Sequence, residues 1–191
     1  MKRELLETIK IENGHIFNLQ WHNRRFNKAR FELFEEKEEL DLQQYIDAPQ
    51  KGLYRCRILY RNTISSIEYL PYETKILSTF KVVSSNIDYE YKYSNREAIT
   101  SLAQKDYDEI IIEKDGLLTD TSIANIAFFN GTTWLTPRKA LLEGTTRARL
   151  LDEGFLKLKD IHKNDINKYS HFALMNAMIG FQIQKSMNIR L

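Results

Sequence analysis

The chain has 191 residues, enough for one compact unit or two small lobes with a genuine core. Hydrophobic residues make up 42% and charged residues 28%, and a net charge of +2 is too small to argue for a nucleic-acid partner. The lone cysteine, Cys56, excludes an internal disulfide framework and suits a reducing cytoplasm. The stretch "MKRELLETIK" lacks a signal-type apolar run, no segment reaches membrane-spanning length, and the four histidines lack metal-ligand spacing.

In chain order, "LLETIKIENGHIFNL" reads as strand, turn, strand, because Asn13 and Gly14 both tolerate the positive φ of a tight hairpin. Leu19, His22, Phe26, Ala29 and Leu33 recur at three-to-four spacing and predict an amphipathic helix. A second short helix is expected over Glu38 to Ile46. "GLYRCRILYR" alternates Tyr54, Cys56, Ile58 and Tyr60 on one face of a strand, with Cys56 as a small buried residue. "TISSIEYL" and "KILSTFKVV" predict two more strands, and "SSNIDYEYKYSN" lacks periodicity and reads as a crossing between lobes.

Beyond the crossing, a helix is expected around Arg96 to Gln104. "YDEIIIEKDGLLTD" predicts a hairpin at Asp115-Gly116, and "ANIAFFNGTTWLTP" another about Asn130-Gly131. Thr145 to Leu156, with Ala148, Leu151 and Phe155 apolar, reads as a helix; Asp165 to Tyr169 reads as a helical turn. "HFALMNAMIGF" reads as a buried strand running into a small-residue loop. The expected class is α/β (α+β), with a small lobe over 1–83 and a larger one over 84–191.

Several residues are candidates for chemistry. Lys92, flanked by tyrosines, is either a solvated charge or, with burial or a neighbouring cation, an amine able to form a Schiff base. Asp120 follows a turn, as a local cap or as a carboxylate that keeps a pyridinium nitrogen protonated. Arg25 is a surface cation or a phosphate ligand. The "GTTR" at 144–147 is a helix cap or an anion seat built from backbone N–H groups. "NAM" at 176–178 is a plain strand end or a second phosphate-facing loop.

Taken in order, these residues form a set. "DEIIIEKDGLLTDTSIANIAFFNGTTWLTPRKALLEGTTR" strongly resembles the signature region of the class IV aminotransferases, the fold-type IV group of pyridoxal-phosphate enzymes. "LETIKIENG" is similar to the family's "FETIR…NG", His22 and Arg25 meet its His-x-x-Arg, and the resemblance spans nearly the whole chain. It implies pyridoxal 5'-phosphate as cofactor and Lys92 as its Schiff-base lysine. It implies Arg25, Thr145 and Thr146 as phosphate ligands, the last two at a helix start where the macrodipole favours an anion. Asn176 and Ala177 would form the second phosphate-facing loop, Asp120 would face the ring nitrogen, and Ser122 would lie near the ring.

Two departures stand out. The acid is Asp120 where the family usually carries Glu, so the ring must approach by about one methylene or use a bridging water. The chain also starts at the family's "FETI" point, which implies a shortened small lobe and a more open site. "KYSNR" at 92–96 resembles aminodeoxychorismate lyases more than branched-chain enzymes. The expected activity is therefore release of pyruvate from 4-amino-4-deoxychorismate to give 4-aminobenzoate. A branched-chain or D-amino-acid aminotransferase is the alternative, and a non-catalytic pyridoxal-phosphate-binding protein a remoter one. The family resemblance further implies a small-molecule amine substrate and a homodimer.

Overall fold

The computed structural model describes residues 4–191. It divides into two compact units.

The first unit runs to Thr74 and takes back Tyr91–Asn95. Strand β1 (Leu5–Glu12) turns at Asn13-Gly14 into the short β2 (His15–Ile16), and helix α1 spans Leu19–Phe34. The turn residues take φ of 50° and 80°, the left-handed pair the Asn-Gly sequence calls for. Strands β3 (Leu53–Tyr60) and β4 (Ile64–Pro71) complete an antiparallel sheet of order β2-β1-β3-β4. Period-two alternation turns Leu5, Ile9, Ile11, Cys56, Ile58 and Tyr60 toward Phe26 and Ala29 of α1, and all of these are buried. Full burial of Phe26 alone is worth about 2–3 kcal/mol.

The helix expected over Glu38 to Ile46 is instead a single 3₁₀ turn at Leu42–Gln44. The reason lies on α1: Asn27 donates to and accepts from the backbone of Leu40, and Asn23 Oδ1 accepts from Leu42 N–H. Those side chains take up the backbone groups that a helix would have used.

The second unit comprises residues 75–90 and 96–191. Its elements are β5 (Phe80–Ser84), α2 (Glu97–Thr100), β6 (Glu109–Lys114), β7 (Leu117–Thr121), β8 (Asn125–Phe129), β9 (Trp134–Pro137), α3 (Thr145–Asp152), β10 (Leu156–Lys159), β11 (His171–Asn176), β12 (Gly180–Ile183) and β13 (Ile189–Arg190). They form one nine-stranded mixed sheet of order β10-β9-β8-β7-β6-β5-β13, with β11 joined to β8 and β12. Phe80, Ile111, Ile126, Phe128, Phe172 and Leu174 make its main core.

The single boundary expected after residue 83 is therefore not what the fold uses: β5 belongs to the second unit and Lys92 to the first. Three elements also differ from expectation. The helix expected at 96–104 is one turn, since Ile99 is its only buried residue and one apolar position makes no stripe. Helix α3 stops at Asp152 because Gly154 takes φ 73°. Phe155 N–H then reaches back to Leu150 O and Gly154 N–H to Leu151 O, a Schellman ending. The chain leaves it directly as β10, parallel to β9. The strand expected over 75–83 begins only at Phe80, because the Asp108 carboxylate accepts from Ser78 N–H, Thr79 N–H and the Thr79 hydroxyl.

Candidate functional site

In the first unit the chemistry gathers around a residue that sequence reasoning passed over. Glu7 lies on β1 between Leu5 and Ile9, on the face that packs against α1, and is fully buried. Its Oε1 accepts from Arg25 Nε at 2.8 Å, and its Oε2 accepts from Arg25 Nη2 at 2.6 Å and His22 Nδ1 at 2.6 Å. His22 and Arg25 stand one turn apart on α1, so one helix face delivers both donors to one carboxylate. Burial pushes the Glu7 carboxyl up, but the Arg25 charge and the donors from His22 and Arg25 outweigh it and hold it at about 2. Burial lowers the His22 imidazole despite Glu7, so His22 is neutral at pH 7 and donates through Nδ1–H.

Lys92 belongs to the same unit. Leu6 N–H donates to Lys92 O at 2.8 Å and Ser94 N–H to Glu4 O at 2.9 Å, flanking an antiparallel bridge between Leu5 and Tyr93. The segment thus adds to the free edge of β1, with Leu6 opposite Lys92. Tyr91 and Tyr93 pack on the α1 side of the sheet, and Lys92 is half-buried near enough to His22 for its charge to lower the imidazole.

In the second unit a different pattern holds. Asp120 is the penultimate residue of β7 and is buried; its Oδ1 accepts from Asn125 Nδ2 at 2.7 Å and its Oδ2 from Leu142 N–H at 2.8 Å. Burial dominates over these neutral donors and raises the carboxyl to about 6. Asn125 also donates to Leu142 O at 2.8 Å, fastening the loop before α3 to β8. At Gly144 a Cβ would come within 2.0 Å of Asn125 Oδ1, so only glycine fits there.

Gly144 is the N-cap of α3 and has no side chain to accept from the first-turn N–H groups. Thr145 and Thr146 are buried in that turn, and the Thr146 hydroxyl is buried without a hydrogen-bond partner. An orphaned hydroxyl beside an uncapped helix start is a donor set suited to an anion.

Two predicted residues have other work. The Ser122 hydroxyl donates to Glu109 Oε2 at 2.9 Å, its N–H donates to Glu109 Oε1 at 3.2 Å, and its carbonyl accepts from Arg96 Nη2. Its polar groups thus hold the loop after Asp120 in shape. Asn176 Oδ1 accepts from Met178 and Ile179 N–H, so two donors expected to be open on that loop are used within it; Ala177 follows in the same turn.

The sequence profile of the amino-transferase class IV family matches residues 4–186. The chain belongs to this family. An uncharacterised protein of Haemophilus influenzae is 39% identical over 184 residues, covering 92% of this chain and 98% of that one. A crystal structure of a provisionally named 4-amino-4-deoxychorismate lyase from Haemophilus somnus 129pt superposes with TM-score 0.85 at 36% identity, over 94% of this chain and 98% of that one. The pyridoxal-phosphate-bound form of a hypothetical aminotransferase from Mycobacterium tuberculosis shares the fold, with TM-score 0.78 at 13% identity over 97% of this chain and 81% of that one. This class IV aminotransferase-family chain is a pyridoxal-phosphate-dependent enzyme of the fold-type IV class. Among the described residues, no helix is long and apolar enough to cross a membrane.

Proposed function

We propose that the enzyme is a 4-amino-4-deoxychorismate lyase that removes pyruvate to leave 4-aminobenzoate, with Lys92 carrying the cofactor. The observation that most supports cofactor binding here is that the second unit holds both a buried Asp120, its carboxyl raised to about 6, and the orphaned Thr146 hydroxyl at the start of α3. One is a buried carboxylate met only by neutral hydrogen-bond donors; the other is a donor short of an anion. Pyridoxal phosphate carries both, a basic ring nitrogen and a phosphate, and it supplies a ring that draws electrons from the substrate carbon.

The residues divide the work. Within the second unit, Thr145 and Thr146 would bind the phosphate through the α3 start, with the Asn176–Ala177 loop as its second wall; Arg25 is carried over from the family resemblance as a phosphate cation. Glu7 fixes the Arg25 guanidinium in a two-pronged grip, so it orients without touching the ligand. Asp120 would hold the ring nitrogen's proton, and Glu109 and Arg96 keep the Ser122 loop beside it in place. Lys92 Nζ would take the proton from the amine-bearing carbon of the substrate; the enolpyruvyl oxygen then leaves as the ring becomes aromatic.

Lyase rather than transfer chemistry is supported by the Lys92-to-Arg96 pattern and by likeness to the Haemophilus somnus protein at 36% identity. The enzyme is proposed to act in the cytoplasm as a C2 homodimer; a monomeric mass in light scattering would overturn the dimer. The activity test compares pyruvate release from aminodeoxychorismate with amino-group transfer from D- and L-amino acids to 2-oxoglutarate. Pyruvate release is expected, and transfer without it would make the enzyme an aminotransferase. Purified protein should carry a band near ~410–430 nm that shifts on adding amine and is lost in Lys92→Ala.

A further inference from the structure

Arg147 is a buried charge of the second unit with no task in the proposed reaction. It is 4% exposed and sits in the first turn of α3, directly after Thr145 and Thr146. Its Nη2 donates to Pro137 O at 2.8 Å and to Arg138 O at 3.4 Å, both neutral acceptors. No carboxylate hydrogen-bonds it; Asp120 and Glu143 act on it only through space. Its Nε is buried without a partner, so the group reaches a ligand through its charge rather than by contact.

Two electrostatic costs fall on this guanidinium. Burial strips its water without putting a carboxylate against it. It also stands at the N-terminal end of a helix, where the macrodipole is positive and disfavours a cation, and α3 carries no acid in its first turn to offset this. Burial lowers the guanidinium and the Asp120 and Glu143 charges only partly restore it, yet an arginine stays protonated even so. Tying α3 to the end of β9 does not account for the charge, since a neutral amide also donates to carbonyls.

An anion at the α3 start offsets both costs. The same turn holds the Thr146 hydroxyl, fully buried and unpaired, behind a glycine N-cap with no side-chain acceptor. Helix side chains lean toward the N-terminus, which keeps the Arg147 charge on the side of that turn. We infer that Arg147 is the resident cation of the α3 anion seat, drawing a phosphate dianion to Thr145 and Thr146 through space. This rests on the proposed reading of the α3 start as a phosphate seat, and it adds a cation from the same unit. The ligand chemistry is a phosphate monoester or inorganic phosphate.

Titration calorimetry with inorganic phosphate at about pH 8, where phosphate is a dianion, tests the charge without turnover. Two variants separate charge from tether. Arg147→Gln keeps amide donors for the two carbonyls and loses the charge; Arg147→Lys keeps the charge and loses the planar fork. Wild type is expected to bind phosphate, Arg147→Gln about tenfold more weakly, and Arg147→Lys within about threefold of wild type. Without ligand, Arg147→Gln should melt no lower than wild type, because an unpaired buried cation leaves a helix N-terminus. Unchanged phosphate affinity in Arg147→Gln, an equal loss in Arg147→Lys, or no phosphate binding by wild type would each overturn the assignment. A ligand-free Arg147→Gln that melts well below wild type would make Arg147 a structural tether instead. Failure of the Lys92 reading shows separately, as no visible-range band when wild type is mixed with pyridoxal phosphate, and the phosphate titration stays readable in that case.

Discussion

Glu7 and Asp120 are both buried carboxylates, one in each unit, and they have opposite fates. Glu7 is held at about 2 because an arginine and an imidazole N–H meet it inside its own unit. Asp120 is raised to about 6 because burial outweighs its neutral hydrogen-bond donors, an amide side chain and backbone N–H, and the weaker pull of the Arg147 charge. Burial acts on the two alike; the difference is whether a charged donor hydrogen-bonds the carboxylate directly. Where it does, the carboxylate is a structural anchor that orients Arg25. Where none does, the carboxyl keeps its proton more readily, and the proposed partner that would complete the pair is a protonated ring nitrogen of the family's cofactor.

The largest effect expected from breaking this contrast is at Glu7. Glu7→Gln leaves the partly buried Arg25 guanidinium without its carboxylate and should cost about 3–5 kcal/mol in urea unfolding. The pH dependence is equally specific. A carboxyl lowered from 4.5 to about 2 contributes stability that is complete above pH 4.5 and disappears as the pH falls toward 2. Wild type should lose that stability on acidification and Glu7→Gln should not. Similar acid limbs in the two proteins would mean that Arg25 and His22 do not hold Glu7 as described.

Asp120 should give the opposite slope and the next largest effect. A carboxyl raised from 3.8 to about 6 binds more protons in the folded state, so its contribution is complete below pH 3.8 and lost as pH rises through about 6. That shift of about two units corresponds to about 3 kcal/mol. Because other groups titrate as well, the quantity to measure is the stability difference between cofactor-free wild type and Asp120→Asn from pH 3 to 8. Wild type should weaken relative to Asp120→Asn across pH 4–6. Saturating pyridoxal phosphate should remove the gap in wild type, since the ring nitrogen supplies the missing charge. A gap that persists with cofactor would separate Asp120 from the ring.

Much of this contrast was hidden in the sequence, for physical reasons. Strands and hairpins were legible because period-two alternation and the Asn13-Gly14, Asp115-Gly116 and Asn130-Gly131 pairs are local signals, and each of these turns includes residues at positive φ. The strands β12 and β13 were not: they are short and partly exposed and lack clean alternation. The extent of α3 depended on Gly154, whose left-handed φ outweighs the apolar spacing that pointed on to Phe155. Among the proposed functional residues, Arg25, Lys92, Asp120 and the Gly-Thr-Thr turn stood out in the sequence as an ordered set, but their hydrogen-bond partners did not. The pairings Arg25–Glu7, Ser122–Glu109 and Arg96–Ser122 join distant residues through tertiary register. Glu7 did leave a trace: a charge at the alternation phase of Leu5 and Ile9 has to be buried and therefore paired.

A smaller effect is expected at the close approach before α3. Gly144 has an ordinary extended backbone, φ −71° and ψ 145°, so alanine is acceptable to the backbone and objectionable only to Asn125. Gly144→Ala should therefore cost about 1–3 kcal/mol by overpacking, as Asn125 is driven off Asp120 and Leu142. Asn125→Ala in the same background should recover part of that loss, because it removes the atom in the way. A full additive loss in the double variant would place the strain elsewhere.

The smallest change is also the sharpest, because its sign depends on the ligand. Thr146→Val keeps the shape and removes a hydroxyl that is buried without a partner in the cofactor-free chain. Without ligand the variant should be as stable as wild type or more so, by up to about 1 kcal/mol, since an unmet polar group is replaced by a methyl. With pyridoxal phosphate or inorganic phosphate the order should reverse: the hydroxyl then donates to an anion, and the variant should bind either ligand about tenfold more weakly. Thermal melts with and without phosphate read both halves. A loss of stability in the absence of phosphate would give the hydroxyl a partner inside the protein. Unchanged phosphate affinity would leave the α3 start a plain helix terminus, and with it the counter-charge argument would rest on Asp120 alone.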